Sequence, residues 1–247
     1  MNPTIKQWAA GTALACVFMA LPVHAVPIVN GSFEGGMASW TVVDQVGSEG
    51  SFTVQSGGRS PVTDTEVPSP PEGSNAAMTD AGAGGSHVLY QDVRQSAPVA
   101  RALLSFDLFI GNRADAFQVP EPATLDWATP LLNQQARVDI LAGGSDPFSL
   151  AAADLLMNLF ATGAGTPLVS GYNRFEFDIT SLINANLNQS LRLRFAEVDN
   201  VNLFQFGVDN VVLAFDVPAQ VPEPGSLMLV LAGLVAGASC RRRVLRR

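Results

Sequence analysis

The chain has 247 residues, 47% apolar and only 15% charged, with 22 Gly and 16 Pro. This composition excludes a coiled coil and wholesale disorder, and it favours many short strands joined by turns around one core. Six of the 14 basic residues and none of the 22 acids lie in residues 1–25 or after Glu223, so the stretch between carries 8 bases against 22 acids, a net −14. So acidic a body repels nucleic acid and anionic membrane surfaces, which need basic stripes, and suits cations or neutral glycans.

Lys6, the apolar stretch Trp8 to Leu21 and Val23-His24-Ala25 form the charged, apolar and small-residue regions of a secretory signal peptide. Cleavage after Ala25 is expected, through the general export machinery. Cys16 and Cys240 both fall in terminal apolar segments, so the body between has no thiol for a disulfide, a structural metal or a nucleophile. Lys6 is the only lysine, and His87 is the only histidine after Ala25, which excludes multi-histidine metal sites and lysine mechanisms. A Ser-His-Asp triad would have to run through His87, yet Ser86 to Tyr90 alternates as a strand does, so His87 reads as a surface or strand-end histidine.

The body, residues 26–217, reads as strands near Ser39 to Val43, Ser51 to Gln55, His87 to Val93, Ala102 to Ile110, Ala136 to Ala142, Leu155 to Ala161, Arg174 to Ile179, Ser190 to Glu197 and Gly207 to Phe215. Phe175, Phe177 and Ile179 alternate with charged neighbours, and Leu191, Leu193 and Phe195 alternate with Arg192 and Arg194, each giving a buried and a wet face. Asp154 to Phe160 has a helical alternative, and Thr180 reads as the cap of a short turn through Asn184. Strands without βαβ helices point to an all-β fold, an antiparallel jelly-roll β-sandwich. Ser56 to Ser86, with four prolines and six glycines, reads as a solvated flexible loop, and Gly111 to Gln134 as a second long loop.

Val29-Asn30-Gly31-Ser32-Phe33-Glu34, followed by Trp40, and Phe206-Gly207-Val208-Asp209-Asn210-Val211 resemble the opening and closing strands of galactose-binding-like jelly rolls, which include carbohydrate-binding modules. The resemblance implies that the two strings lie close together and that Glu34 and Asp209 supply carboxylates to a structural calcium, with backbone carbonyls completing its oxygen shell. Free of the resemblance, Glu34 is an exposed turn carboxylate and Asp209 bonds its own backbone. Among the 22 carboxylates, Glu197, Asp199 and Asp209 are the nearest to a glycosidase pair, which is defined by a separation in space of about 5 to 10 Å. Trp40 reads as core. Trp127, in a polar loop, is the aromatic candidate for sugar stacking, with a loop anchor as its alternative.

After the body, residues 218–247 carry Val221-Pro222-Glu223-Pro224, an uncharged run Gly225 to Cys240, and Arg241, Arg242, Arg243, Arg246 and Arg247. As a helix the 16-residue run spans about 24 Å, short of a hydrocarbon core of about 30 Å, a gap that snorkelling arginines or local thinning closes. The arginines hold their side in the cytoplasm and put the body outside. Box, transmembrane helix and basic cluster together resemble the PEP-CTERM sorting signal of Gram-negative bacteria. That resemblance implies an exosortase as partner, removal of the tail, and delivery to the cell surface or extracellular polysaccharide matrix. A second Val119-Pro120-Glu121-Pro122 lacks the span and the charges, so it reads as an ordinary loop. The reading is of an exported, non-enzymatic biofilm-matrix or surface module that binds polysaccharide or is structural. Its alternatives are a surface glycoside hydrolase or lyase and a permanently tail-anchored inner-membrane protein.

Overall fold

The computed structural model describes residues 28–216. Ala25, the Val221 to Pro224 box, the apolar span and the arginines from Arg241 to Arg247 lie outside the described residues. The strands are β1 (Thr41–Asp44), β2 (Ser51–Ser56), β3 (Asn75–Asp80), β4 (Gly85–Arg94), β5 (Arg101–Asn112), β6 (Gln134–Ala142), β7 (Leu155–Ala161), β8 (Asn173–Asp178), β9 (Ser190–Asp199) and β10 (Phe204–Asp216), with one short helix α1 (Thr180–Ala185) before β9. They form two five-stranded sheets, β1-β4-β9-β6-β7 and β2-β3-β10-β5-β8, and every pairing is antiparallel. Without the edge strands β1 and β2, the remaining orders are β4-β9-β6-β7 and β3-β10-β5-β8, the double Greek key of a jelly roll.

The expected alternation places the core. Leu191, Leu193 and Phe195 of β9 point between the sheets, where Leu104, Phe106, Leu108 and Ile110 of β5 meet them. Phe106 is fully buried, edge-on to Phe195 with centroids 5.4 Å apart, and stacked against Phe177 at 5.7 Å. Of Asp154 to Phe160, all but the turn residue Asp154 resolves as strand, since β7 pairs along β6 and an edge strand needs only one partner. Thr180 is the first residue of α1 and not its cap: its own amide donates to the Asp178 carboxylate, and its hydroxyl accepts the Ala102 amide.

Three expectations change. The stretch Ser56 to Ser86 contains β3, a strand of poor β-formers that pairs with β2 on one side and β10 on the other. The rest of that stretch is largely exposed but tied to the sheet: Asp80 accepts the Val62 and Thr63 amides, and Gln55 donates to the Gly57 and Pro68 carbonyls. The opening string is a chain of turns, with Asn30 at φ 55°, where the sequence suggested a strand. Trp40 is core as expected, stacked on Phe33 at 5.3 Å with its indole N–H on the Asn30 carbonyl. Finally, the second face of β9 is not wet: Arg194 is fully buried.

The opening and closing strings do meet. Val211 N–H donates to the Gly31 carbonyl at 2.9 Å, and a Cβ on Gly31 would fall 1.9 Å from the Val211 carbonyl oxygen, so only glycine lets the two backbones approach. Opposite this contact, β10 shifts register against β5 between Asp209 and Val212, with Asn210 in the left-handed region at φ 51°. A bulge of this kind turns the strand and re-aims the side chains beside it.

Candidate functional site

The sheet containing β10 turns Phe204, Phe206 and Val208 to the core, so Gln205, Gly207 and Asp209 face outward. Register puts Asp209 opposite Asp107 of β5, and Asp107 opposite Arg174 of β8, so one charged row crosses three strands. Arg174 lies 3.6 Å from the Asp107 carboxylate and donates to Ser105 Oγ at 2.7 Å, while the Asn210 side-chain amide donates to Asp107 at 3.1 Å. Tyr172 lies over the row because Gly207 has no side chain there, a Cβ falling 2.6 Å from its hydroxyl, which donates to Gln55 Oε1. Burial first, and then the negative charges of Asp209 and Asp107, hold that phenol far above its ordinary range.

Beside the row, Arg174 also borders an open depression of about 360 Å³ where β8 meets the loop before it, with Phe160, Phe175, Thr166, Ser170 and Asn173 among its walls. A volume of this order holds a small organic ligand. Two half-buried phenylalanines with a guanidinium, an amide and two hydroxyls give apolar faces next to directional donors, the combination a sugar ring with its hydroxyls requires.

Asp209 itself is wholly buried. Its oxygens accept the Asn210 amide at 2.7 Å and the Glu72 amide at 3.2 Å, and burial, with the charges of Glu72 and Asp107, pushes its carboxyl up to about 7. Glu34 Oε1 accepts the Ser74 and Asn75 amides, both at 2.8 Å. The two residues are thus held at opposite ends of one segment, 72–75, each by backbone N–H donors. No third carboxylate or imidazole joins them among the described residues. Calcium there would need backbone carbonyls to complete its oxygen shell.

Residues 220–243 match the PEP-CTERM protein-sorting motif. The match identifies an exported protein that passes through a transient membrane anchor and is sorted by an exosortase. No curated protein matches the chain. In shape, the chain is similar to the enzymatically active domain of tailspike protein 4 of bacteriophage CBA120, with TM-score 0.44 and 13% identity over 77% of this chain. It spans only 21% of that tailspike chain. It is also similar to TmCBM61, solved with beta-1,4-galactotriose, with TM-score 0.44, 12% identity and coverage of 77% of this chain and 99% of the other. A third similar structure is the K3 cleaved adhesin domain of Lys-gingipain from Porphyromonas gingivalis, with TM-score 0.47, 14% identity and coverage of 76% and 98%. None of these likenesses assigns a ligand to this chain.

Of the other sequence candidates, Trp127 is a loop anchor here. Its ring packs on Val88, Leu125, Ala196 and Val198, within 3.2 Å of where a Gly47 Cβ would be, and its backbone N–H bonds Ser86 Oγ at 3.0 Å. His87 is 1% exposed and therefore no surface residue. Glu197 and Asp199 are buried beside it, facing between the sheets; burial first and then the Asp199 charge drives Glu197 well up, and burial brings Asp199 to about 6. Sequence reasoning missed Asp107 and Arg174, although both sit on outward positions of strands it had read; what it lacked was the register that sets them side by side.

Proposed function

We propose that the chain is a surface or biofilm-matrix protein of a Gram-negative cell, delivered by an exosortase, whose jelly-roll body is a non-enzymatic module for neutral polysaccharide. The observation that carries the binding role is the open depression at β8, where Arg174 joins an aromatic wall to the Asp107 carboxylate. An Arg–Asp pair presents donors and an acceptor with little net charge, which suits vicinal hydroxyls better than an ion. The non-enzymatic reading is supported by burial. Asp209 lies beneath the 72–75 segment, and Glu197 and Asp199 face the interior, so these carboxylates do not flank an open groove.

The binding test is isothermal titration of the exported chain with soluble neutral polysaccharides and with the host's own exopolysaccharide. Binding is expected to persist as salt is raised, and Arg174→Ala is expected to weaken it about tenfold or more, the loss of one charge-assisted hydrogen bond of about 1.5–3 kcal/mol. No binding to any of them sinks the module reading, and release of reducing ends in its place supports the hydrolase alternative.

The sorting test uses the duplicated box as its control. The span and the arginines hold Val221-Pro222-Glu223-Pro224 at the outer membrane face, a placement that the copy at Val119 to Pro122 lacks. In a host with an exosortase, Glu223→Ala is expected to leave the full-length chain in the inner membrane, while Glu121→Ala leaves release unchanged. Mass spectrometry of released wild-type protein should find a C-terminus before Arg247. An intact tail in that host favours the permanent anchor.

A further inference from the structure

A polar site sits inside one end of the sandwich, apart from the β8 depression. Two neighbouring cross-strand pairs build it: Gly85 opposite Asp199, and His87 opposite Glu197. The pleat that sends Leu193 and Phe195 into the core sends Glu197 and Asp199 to the same face, so His87, Glu197 and Asp199 meet between the sheets beside Gly85. The space over Gly85 is taken by the imidazole itself: a Cβ there would fall 2.4 Å from His87 Nε2 and 2.8 Å from Cε1, so glycine lets the ring lie against the strand.

The hydrogen bonding of this group is incomplete in a specific way. Asp44, opposite His87 on β1, lies 2.7 Å from Nδ1, which makes Nδ1 the protonated nitrogen and Nε2 an acceptor. Nothing donates to Nε2, and nothing donates to Glu197 Oε1; both atoms are buried. Asp199 Oδ1 accepts the Gly85 amide at 2.7 Å. Buried acceptors without donors are costly, and here two face one pocket whose third wall is another carboxylate. One nitrogen and two carboxylate ligand atoms lie within 4.8 Å of one another. Two bonds of about 2.1 Å to one ion span up to about 4.2 Å, so the three atoms are placed for a shared cation after a small adjustment.

We propose that His87 Nε2, Glu197 and Asp199 bind one divalent transition-metal ion of the zinc class, with Asp44 as the residue that positions the imidazole. An imidazole nitrogen with two carboxylate oxygens matches zinc and its neighbours and disfavours calcium, which takes oxygen alone. The Asp44–His87 contact is the carboxylate–histidine support that such ligands carry, fixing the tautomer and the ring. A polar depression of about 320 Å³ lies between the turns 82–84 and 200–203, whose residues Gly84 and Asn200 are the chain neighbours of Gly85 and Asp199.

The test is zinc titration of the exported chain stripped with chelator, followed by X-ray absorption at the zinc edge. The expected result is one equivalent of zinc with a single imidazole in the shell. His87 is the only histidine beyond the cleavage site, so this readout needs no variant. Glu197→Gln should lose the ion, and Asp44→Asn should weaken it roughly 10- to 100-fold while keeping the imidazole signal. Absence of tight zinc in the wild type overturns the proposal. A zinc shell without imidazole overturns it too, as does unchanged affinity in a Glu197→Gln variant whose near-ultraviolet circular dichroism is native.

Discussion

Asp139→Ala is expected to lower the melting temperature by roughly 10 °C or more, because it strands a buried charge. Asp139 and Arg194 are both fully buried on the outer face of the β6–β9 pair, under the loop that follows β6. The carboxylate is saturated: Arg137 donates to it through Nε at 2.7 Å and Nη2 at 2.8 Å, Asn158 at 2.8 Å, and Arg194 through Nη2. Arg194 also donates to the Pro147 and Ser149 carbonyls, which pins the loop over the sheet. Burial would raise the Asp139 carboxyl; the Arg137 hydrogen bond and the charges of Arg194 and Arg137 overcome it and hold the group below its ordinary value. Removing one partner of such a pair costs about 3–5 kcal/mol, and a domain of this size loses about 2–4 °C per kcal/mol. The sign with pH follows from the lowered value: the stabilisation is present above the unfolded pKa and is lost as pH falls through the folded one. Calorimetry of Asp139→Ala beside Asp139→Leu/Arg194→Met checks the cause. The double variant should recover much of the loss, since apolar packing replaces both charges. Equal melting of wild type and single variant would show the pair to be energetically idle.

Asp209 has the opposite sign. Its folded carboxyl is raised to about 7 by burial, reinforced by Glu72 and Asp107, against an unfolded value near 3.8. Folding therefore takes up a proton between those values, and the stability this group allows is complete below the unfolded pKa and is lost as pH rises through about 7. A shift of this size corresponds to a few kcal/mol. Asp209→Asn cannot ionise. Its melting temperature relative to wild type should therefore climb from pH 4 and level off above about pH 7, whatever constant offset the Glu72 amide contact adds. Curves for the two proteins that stay parallel over that range would refute the buried, protonated carboxyl.

The two predictions depend on features of unequal legibility. Arg194 was visible in the sequence as the polar partner of an alternating strand, and alternation says which side of the sheet a residue takes. It does not say what covers that side. The loop of residues 143–154 folds over β9 and turns a nominally wet face into a buried ion pair, and no local pattern announces this. Asp209 was singled out for its place in the closing string, and the contact of that string with Gly31 is real; its neighbours Asp107 and Arg174 come from strands distant in sequence, brought alongside by register. β3 escaped notice because Asn75 to Asp80 has weak strand propensity and becomes a strand through its two neighbours.

What the sequence determined alone is whatever is written in short-range pattern: the sorting motif at 220–243, the all-β class from period-two alternation, nine of the strands, and Trp40 as core. A linear motif or a pleat has its whole physical basis in adjacent residues, so neither needs a fold to be read. The tertiary structure decided the rest. Asp44, His87 and Glu197 become one row across three strands, with the His87 ring lying over Gly85, and Arg174 comes to join a depression to a carboxylate. In a jelly roll, strands that adjoin in a sheet are usually far apart in the chain, so the chemistry of each such site is set by pairing partners that sequence proximity does not reveal.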